Sequence, residues 1–144
     1  MRNIEYIVLH CTATSQNAKV ESIQRYWKQT LKWRNPGYHY IIDKDGLIYN
    51  LLPIDAIANG VKGHNYNSIH ISYIGGIDKQ GKAYDNRTPK QVISQLELID
   101  ELKEQFPDAK IVGHRDFKGV AKDCPSFEVQ EWLKHVGYKE EIHL

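Results

Sequence analysis

The fold is decided by residues 4–10, which read IEYIVLH. This stretch is rich in Ile, Val and Tyr and apolar on both faces, as is typical of a buried central strand. The strand ends at His10, and residues 11–18 then form a mostly polar loop. A histidine in this place either has a structural role or presents its imidazole to a ligand. The rest of the chain has to decide between these two possibilities.

The hydrophobic pattern after this strand alternates between helical and strand periods. Apolar residues at helical spacing predict a helix over about 20–31. Residues 38–51, YHYII-DKDG-LIYNL, predict a β-hairpin that turns at an Asp-Gly pair. Further strands are predicted for SIHISYIGG at 68–76 and for AKIVGH at 109–114.

Two more helices are predicted from their start signals. Thr88 can cap a helix that has Pro89 in its first turn, and Gln91 completes a capping box. A last helix lies in PSFEVQEWLKHV, with Ser126 as the expected N-cap and Glu128 in the first turn. This interleaved order predicts an α/β fold, with a central mixed β-sheet flanked by helices in a single domain over residues 1–144.

The composition is typical of a globular protein without a nucleic-acid or membrane signature. The 144 residues are 41% hydrophobic and 26% charged, with a net charge of +1. No run of basic residues occurs, and no apolar run approaches the ~20 residues that span a bilayer. We expect a monomer with no nucleic-acid partner and no membrane insertion. Because the N-terminus lacks a signal-peptide pattern, we expect cytoplasmic synthesis and two reduced thiols, Cys11 and Cys124.

Two of the predicted strands end alike, with IVLH at His10 and IVGH at His114. Neighbouring strands that end at the same sheet edge would bring these imidazoles together. Cys124 follows ten residues after His114, across a polar loop. Two histidines and a cysteine suit zinc, and three protein ligands leave one position for water, as in catalytic sites. The spacing also permits two structural histidines and a small buried thiol.

Five blocks of sequence, in order over residues 4–136, resemble the type 2 N-acetylmuramoyl-L-alanine amidases. The blocks read LHCTAT, GYHYIIDKDG, GHNYNSIHISYIGGID, GHRDF and AKDCPSFEV. GGID followed by GK, and a lysine two residues before CPSF, are most similar to the bacteriophage T7 lysozyme branch. The family is also related to the peptidoglycan recognition proteins. The resemblance implies one zinc ion in a groove and hydrolysis of the amide between N-acetylmuramic acid and L-alanine of the stem peptide.

The resemblance also assigns residues. The family's zinc ligands fall on His10, His114 and Cys124, so His10 is interpreted as a ligand. The family's tyrosine and lysine fall on Tyr38 and Lys122, which are therefore the candidate catalytic residues. A cationic Lys122 would stabilise the tetrahedral intermediate, and the Tyr38 phenol would donate a hydrogen bond. Without the resemblance, Lys122 would by default be a solvated loop lysine, whereas Tyr38 would be equally well a core aromatic residue.

The loop GHNYN supplies three candidate substrate-binding residues, His64, Asn65 and Asn67. In this family the loop lines the peptide groove, although loop asparagines are usually turn formers. One departure from the family is His70, where members usually carry glycine. Strand alternation places His70 away from the apolar face, either under a helix or towards solvent, and without a part in the mechanism.

The remaining polar residues have less specific interpretations. His39 should lie on the opposite side of its strand from Tyr38 and be structural or support the site. Arg115 and Asp116 could orient a ligand or cap a turn. His135 and His143 are expected at the surface.

Three other functions remain open from the sequence. Some relatives recognise peptidoglycan without cutting it, but these typically replace the zinc cysteine that Cys124 provides here. A regulator that binds an RNA polymerase, as T7 lysozyme does, is neither supported nor excluded. A zinc hydrolase of another amide is the third. If the enzyme acts on the cell wall, the missing signal implies release by a partner, as for a phage or prophage endolysin, or specialised export.

Overall fold

The computed structural model describes residues 2–120 and 122–138. Within these residues a five-stranded sheet has the order β3-β2-β4-β1-β5. The strands are Tyr6–Cys11 (β1), Tyr40–Ile42 (β2), Ile48–Asn50 (β3), Ser68–Tyr73 (β4) and Lys110–Gly113 (β5). Strands β2, β4, β1 and β5 are mutually parallel, and β3 is antiparallel to β2 at one edge. The predicted mixed sheet is therefore confirmed; β1 lies inside it, between the central strand β4 and the edge strand β5.

The described part of the chain contains three α-helices, Val20–Arg25 (α1), Pro89–Gln105 (α2) and Val129–His135 (α3). The first continues as a π-helical segment, Tyr26–Thr30, so the predicted helix keeps its extent but changes type. The capping box at the start of α2 is present, with Thr88 and Gln91 bonded to each other's backbone N–H. None of the described helices is long and apolar enough to cross a membrane.

The predicted start of the last helix is wrong. α3 begins at Val129 with Glu128 at the N-cap, and Ser126 lies outside the helix. Ser126 has φ +71° and donates its hydroxyl to the Gly76 carbonyl at 2.8 Å. An N-cap residue needs an extended backbone, which this left-handed conformation does not provide. Ser126 instead ties the segment after Cys124 to the loop after β4.

The two faces of the sheet carry different side chains. On one face, Ile7 and Leu9 of β1 and Ile69 and Ile71 of β4 form the main core with α2 and α3. On the opposite face, Val8 packs with Val61 and Phe117, which come from loops. Because side chains alternate along a strand, His10 and His70 share the second face with Val8.

Residues 51–67 and the N-terminal segment cover this second face. Arg2 holds the covering loop by donating to the carbonyl oxygens of Ile54, Asn65 and Ser68 at 2.6–3.1 Å. His70 is fully buried as a result. The expectation that His70 lies towards solvent or under a helix is therefore wrong, because a mostly irregular segment, with a single 3₁₀ turn at Asn65–Asn67, covers this part of the sheet.

Candidate active site

The candidate metal cluster consists of His10, His114 and Cys124, whose donor atoms all lie within 4.8 Å of one another. Strands β1 and β5 are parallel neighbours in which Leu9 lies opposite Gly113. The next residue of β1 is His10 and the residue directly after β5 is His114, and their ring centroids are 4.9 Å apart. Cys124 Sγ lies 3.7 Å from His10 Nδ1. The prediction that the two strand-end histidines meet beside the cysteine is confirmed.

Backbone groups hold Cys124 in this position. The backbone N–H of Cys11 donates to Cys124 Sγ at 3.2 Å, and that of Arg115 donates to the Cys124 carbonyl at 2.9 Å. Without a cation, the hydrogen bond to the Cys11 thiol and burial raise the pKa of the Cys124 thiol. A divalent cation reverses this preference, since a coordinating thiol is deprotonated. The Cys11 N–H then stabilises the thiolate.

The two histidines are in the state that binds a metal. Burial lowers the pKa of His10 well below its usual range and lowers the pKa of His114 to about 4. Both rings are therefore neutral at pH 7, and a neutral imidazole is the metal-binding form. Two imidazole nitrogens and one sulfur fit a tetrahedral metal site with one position left open.

A cleft opens on both sides of Lys122, whose side chain is exposed. A cavity of about 680 Å³ lies on one side, between His114 and the loop around Gly60. A second cavity of about 590 Å³ lies on the other side, and Tyr38 forms part of its wall. Lys122 lines both cavities, the larger one together with His114 and the other together with Tyr38.

Tyr38 connects the second cavity with the metal cluster. Its ring centroid is 4.9 Å from that of His10 and 5.4 Å from that of Trp27. The phenol donates to the carbonyl of Cys11 at 3.3 Å. Burial raises the pKa of the phenol, so the hydroxyl stays protonated and acts as a hydrogen-bond donor, here to Cys11. Tyr38 and Lys122 thus lie beside the cluster without belonging to it.

The three predicted substrate-binding residues have different surroundings. Asn65 lines the larger cavity. His64 packs its ring against Phe117 at 4.5 Å, and its contact with substrate stays a prediction. Asn67 is only 4% exposed and donates its side-chain amide to Glu5 at 2.6 Å. Asn67 therefore has a structural contact in place of the predicted substrate contact, because the covering loop turns its side chain into the protein.

Several other sequence interpretations are settled by contacts. His39 is structural, as expected, since its ring accepts from the backbone N–H of His70 at 3.0 Å. Asp116 caps a turn, because its carboxylate accepts from the backbone N–H of Gly113 at 2.7 Å. His135 is exposed, and Cys11 is buried. The interpretation of His143 lies outside the described residues.

The residue that sequence reasoning missed is His70. Its Nδ1 lies 2.8 Å from His10 Nε2, so it contacts a member of the cluster directly. Two signals in the sequence pointed to it. Alternation placed it opposite the apolar face of its strand, and the family usually carries glycine there. What the sequence did not reveal is that β1 and β4 pair so that His10 and His70 share a face.

The fold and the cluster together define an α/β domain with a candidate metal position in a cleft. The chain belongs to the N-acetylmuramoyl-L-alanine amidase family, which its residues 1–127 match. It is therefore an N-acetylmuramoyl-L-alanine amidase by family.

Individual relatives agree with this assignment. The chain is 37% identical over 127 residues to the endolysin of Enterobacteria phage K11 and 38% identical over 128 residues to that of Escherichia phage T7. Each match covers 88% of this chain and 83% of the relative. Peptidoglycan-recognition protein SC1a of Drosophila melanogaster is 26% identical over 136 residues, covering 88% of this chain and 70% of that protein.

A solved structure has the same fold. The Ph2119 endolysin, from a Thermus scotoductus bacteriophage, superposes with a TM-score of 0.80 and 31% identity. The match covers 96% of this chain and 88% of that one. The resemblance to phage amidases and to the recognition proteins is thereby confirmed.

Proposed function

We propose that this protein is a zinc-dependent endolysin that hydrolyses the amide between the lactyl group of N-acetylmuramic acid and L-alanine. The observation that carries the proposal is the neutral His10–His114–Cys124 cluster beside a cleft, in a chain of this amidase family. The donor set supports one zinc ion per chain, since nitrogen and sulfur ligands suit this borderline-soft cation.

His10, His114 and Cys124 would hold the ion, and three protein ligands leave one coordination position for water or substrate. A zinc ion there supplies Lewis acidity, which lowers the pKa of water towards ~7 and polarises the carbonyl of an amide. The backbone N–H of Cys11 supports the anionic form of Cys124 that such coordination requires. Burial keeps His10 uncharged, and so keeps its lone pair available.

Lys122 and Tyr38 act on the substrate in this proposal. As the carbonyl carbon becomes tetrahedral, negative charge develops on its oxygen, and a cation or hydrogen-bond donor aimed at that oxygen lowers the barrier. Lys122 borders both cavities and can reach an amide that lies across the cleft. Tyr38 is the neutral donor in this proposal: its ring packs against His10, and its hydroxyl turns from the Cys11 carbonyl to the substrate oxygen.

The shape of the cleft supports a substrate that extends in two directions from the scissile amide. A muramoyl peptide has sugar on one side of this bond and a peptide on the other. The two cavities on either side of Lys122 offer space for both parts. Asn65 lies in the wall of the larger cavity, and His64 is adjacent in sequence, so both remain proposed substrate-binding residues.

The biological setting follows from the relatives. The phage proteins to which the chain is similar are endolysins, so we place its action at the cell wall after release from the cell that makes it. We expect the protein to work as a monomer, since the cluster and the cleft are built within one chain.

Digestion of purified peptidoglycan, followed by mass spectrometry of the soluble fragments, tests the proposal. The expected products are free stem peptides with an L-alanine amino terminus, formed by protein that contains about one zinc per chain. Activity should disappear with a chelator and return with added zinc. New reducing sugar ends without new amino groups would show a glycosidase and overturn the proposal.

A further inference from the structure

A chain of hydrogen bonds, partly buried at Asn65 and fully buried at His70, leads from backbone amides to the metal cluster. It begins at Asn65, whose Oδ1 accepts from the backbone N–H groups of Gly60 at 3.0 Å and Val61 at 2.7 Å. The same oxygen lies 2.9 Å from His70 Nε2. On the other side of the imidazole, His70 Nδ1 lies 2.8 Å from His10 Nε2. We call Asn65, His70 and His10 the histidine relay.

The donor and the acceptor of each hydrogen bond in the histidine relay follow from the backbone contacts of Asn65, at its outer end. Backbone N–H groups can only donate, so the Asn65 atom that meets two of them must be the oxygen. His70 Nε2 must then carry a proton, because it faces an acceptor. In a neutral imidazole the other nitrogen has a lone pair, so His70 Nδ1 is an acceptor. His10 Nε2 must in turn be the donor, and His10 Nδ1 is left unprotonated.

With the protons placed in this way, His10 Nδ1 keeps its lone pair at the cluster. His10 Nδ1 is the nitrogen that faces Cys124 Sγ, at 3.7 Å. A metal ligand needs a lone pair, which only the Nε2–H tautomer of His10 presents there. In water, neutral histidine exchanges freely between its two tautomers. Within the relay, one tautomer and one ring orientation satisfy every partner.

The surroundings show that the site is built around an imidazole at position 70. A Cβ atom on Gly60 would overlap the His70 ring, so the loop can pass here only as glycine. The His39 ring lies parallel to that of His70 at 5.9 Å, and its Nδ1 accepts from the His70 backbone N–H. His70 is fully buried, and both of its ring nitrogens have partners.

We propose that His70 is a positioning residue that fixes the tautomer and orientation of His10, so that His10 Nδ1 is held ready to bind the metal. The inference rests on the proposed zinc site and adds to it a residue that positions one of the ligands. A residue that hydrogen-bonds the second nitrogen of a ligand histidine typically contributes 10–100-fold to metal affinity. His70 therefore contributes to metal binding although it does not touch the metal.

Zinc affinity of the purified protein, measured by competition with a chromophoric chelator, tests the proposal. His70→Leu has a similar volume and removes both hydrogen bonds, so its zinc dissociation constant should rise by about 10–100-fold. His70→Gln keeps one acceptor and one donor, and should recover most of the affinity. His135→Gln, at an exposed histidine of α3, is the matched control and should bind zinc as the unmodified protein does.

Thermal unfolding of the metal-free variants separates positioning from a merely structural role. We expect zinc to raise the melting temperature of His70→Leu less than that of the unmodified protein. A variant that is less stable without metal yet binds zinc with unchanged affinity would overturn the proposal. Failure of the unmodified protein to bind zinc would overturn the proposed function instead, and the two failures are thereby distinguished.

Nitrogen-15 NMR of the histidine rings tests the relay without any substitution. In the metal-free protein, His10 and His70 should both be neutral and protonated at Nε2. This measurement is made on the unmodified, metal-free protein, so it requires neither zinc binding nor a folded variant. A His10 ring protonated at Nδ1, or one that averages between tautomers, would overturn the proposal.

Discussion

The two histidines of the cluster follow similar sequences, IVLH and IVGH, but the protein holds them by different means. His10 is 1% exposed, and its support comes from His70, sixty residues away in the chain. His114 is only half-buried and lines the larger cavity. Its backbone is held locally, by the turn that Asp116 closes onto Gly113.

The two ligand histidines are thus positioned in two different ways. The position of His114 follows from the end of its strand and three residues of sequence. The position of His10 requires that β1, β4 and the covering loop come together with correct hydrogen bonding. We infer that the His10 side is sensitive to changes in remote residues, whereas the His114 side is sensitive mainly to changes nearby.

The largest effect is expected for Cys124, the third candidate ligand, which lies beside both histidines. Cys124→Ser removes the thiolate, so zinc content should fall from about one per chain to near zero, and hydrolysis should stop. Metal analysis and peptidoglycan digestion measure the two losses. Cys11→Ser is the control, since it keeps the backbone N–H that donates to Cys124 Sγ and should leave the zinc in place. A full complement of zinc in folded Cys124→Ser would remove Cys124 from the site.

The next effect concerns the two residues that lie beside the cluster. Lys122→Ala and Tyr38→Phe should retain zinc and thermal stability while losing at least about tenfold in hydrolysis rate, since one oxyanion donor is typically worth ~10²–10³ in kcat. Rates are compared at equal zinc occupancy. Tyr38→Phe is the sharper test, because it preserves the ring packing against His10 and Trp27. Unchanged rates in both variants would reject these roles.

Gly60→Ala acts on the His10 side from a distance. The new methyl group overlaps the His70 ring and must displace it, at an overpacking cost of about 1–3 kcal/mol. We expect about a tenfold loss of zinc affinity as well, because the histidine relay is broken. Gly63→Ala is the control, since a Cβ there meets open space and only its positive φ of +90° is strained. Equal zinc affinities in the two variants would contradict the inference that remote changes near His70 affect the His10 side.

Acid should weaken the fold around the histidine relay. Burial lowers the pKa of His39 to about 4, so His39 stays neutral in the folded protein while the unfolded chain takes up a proton below about 6.5. The free energy of unfolding therefore falls as the pH drops from about 6.5 towards 4, by about 2 kcal/mol for this group between pH 7 and pH 5. Denaturant unfolding of the metal-free protein measures this loss, and a flat profile would contradict it.

The smallest effect is expected on the His114 side. Asp116→Ala removes the acceptor for the backbone N–H of Gly113 and should cost about 1 kcal/mol of stability. Zinc affinity should change by less than in Gly60→Ala, since the β1–β5 pairing still places His114 beside His10. Chelator competition and thermal unfolding of the same samples measure both quantities. A larger loss of affinity in Asp116→Ala would reverse the proposed difference between the two sides.

Local patterns in the sequence were enough to predict the order of the elements. The capping box at Thr88 formed as expected, because all of its partners lie within one turn. The start of the last helix was not predictable in the same way. Ser126 looks like an N-cap when read locally, but its hydroxyl bonds Gly76, fifty residues away.

The sequence by itself determined the α/β class, the family and the three residues of the candidate metal cluster. The α/β class follows from the periodicity of the apolar residues. The family and the cluster residues follow from short motifs of specific residue types. Only the tertiary structure decided what lies behind the cluster. His70 was interpreted as a bystander, and Asn67 as a groove residue, because neither strand register nor loop path is encoded in neighbouring residues. A hydrogen bond such as that between His10 and His70 depends on which strands pair and on which face a loop covers, and both are set by the packing of the whole domain.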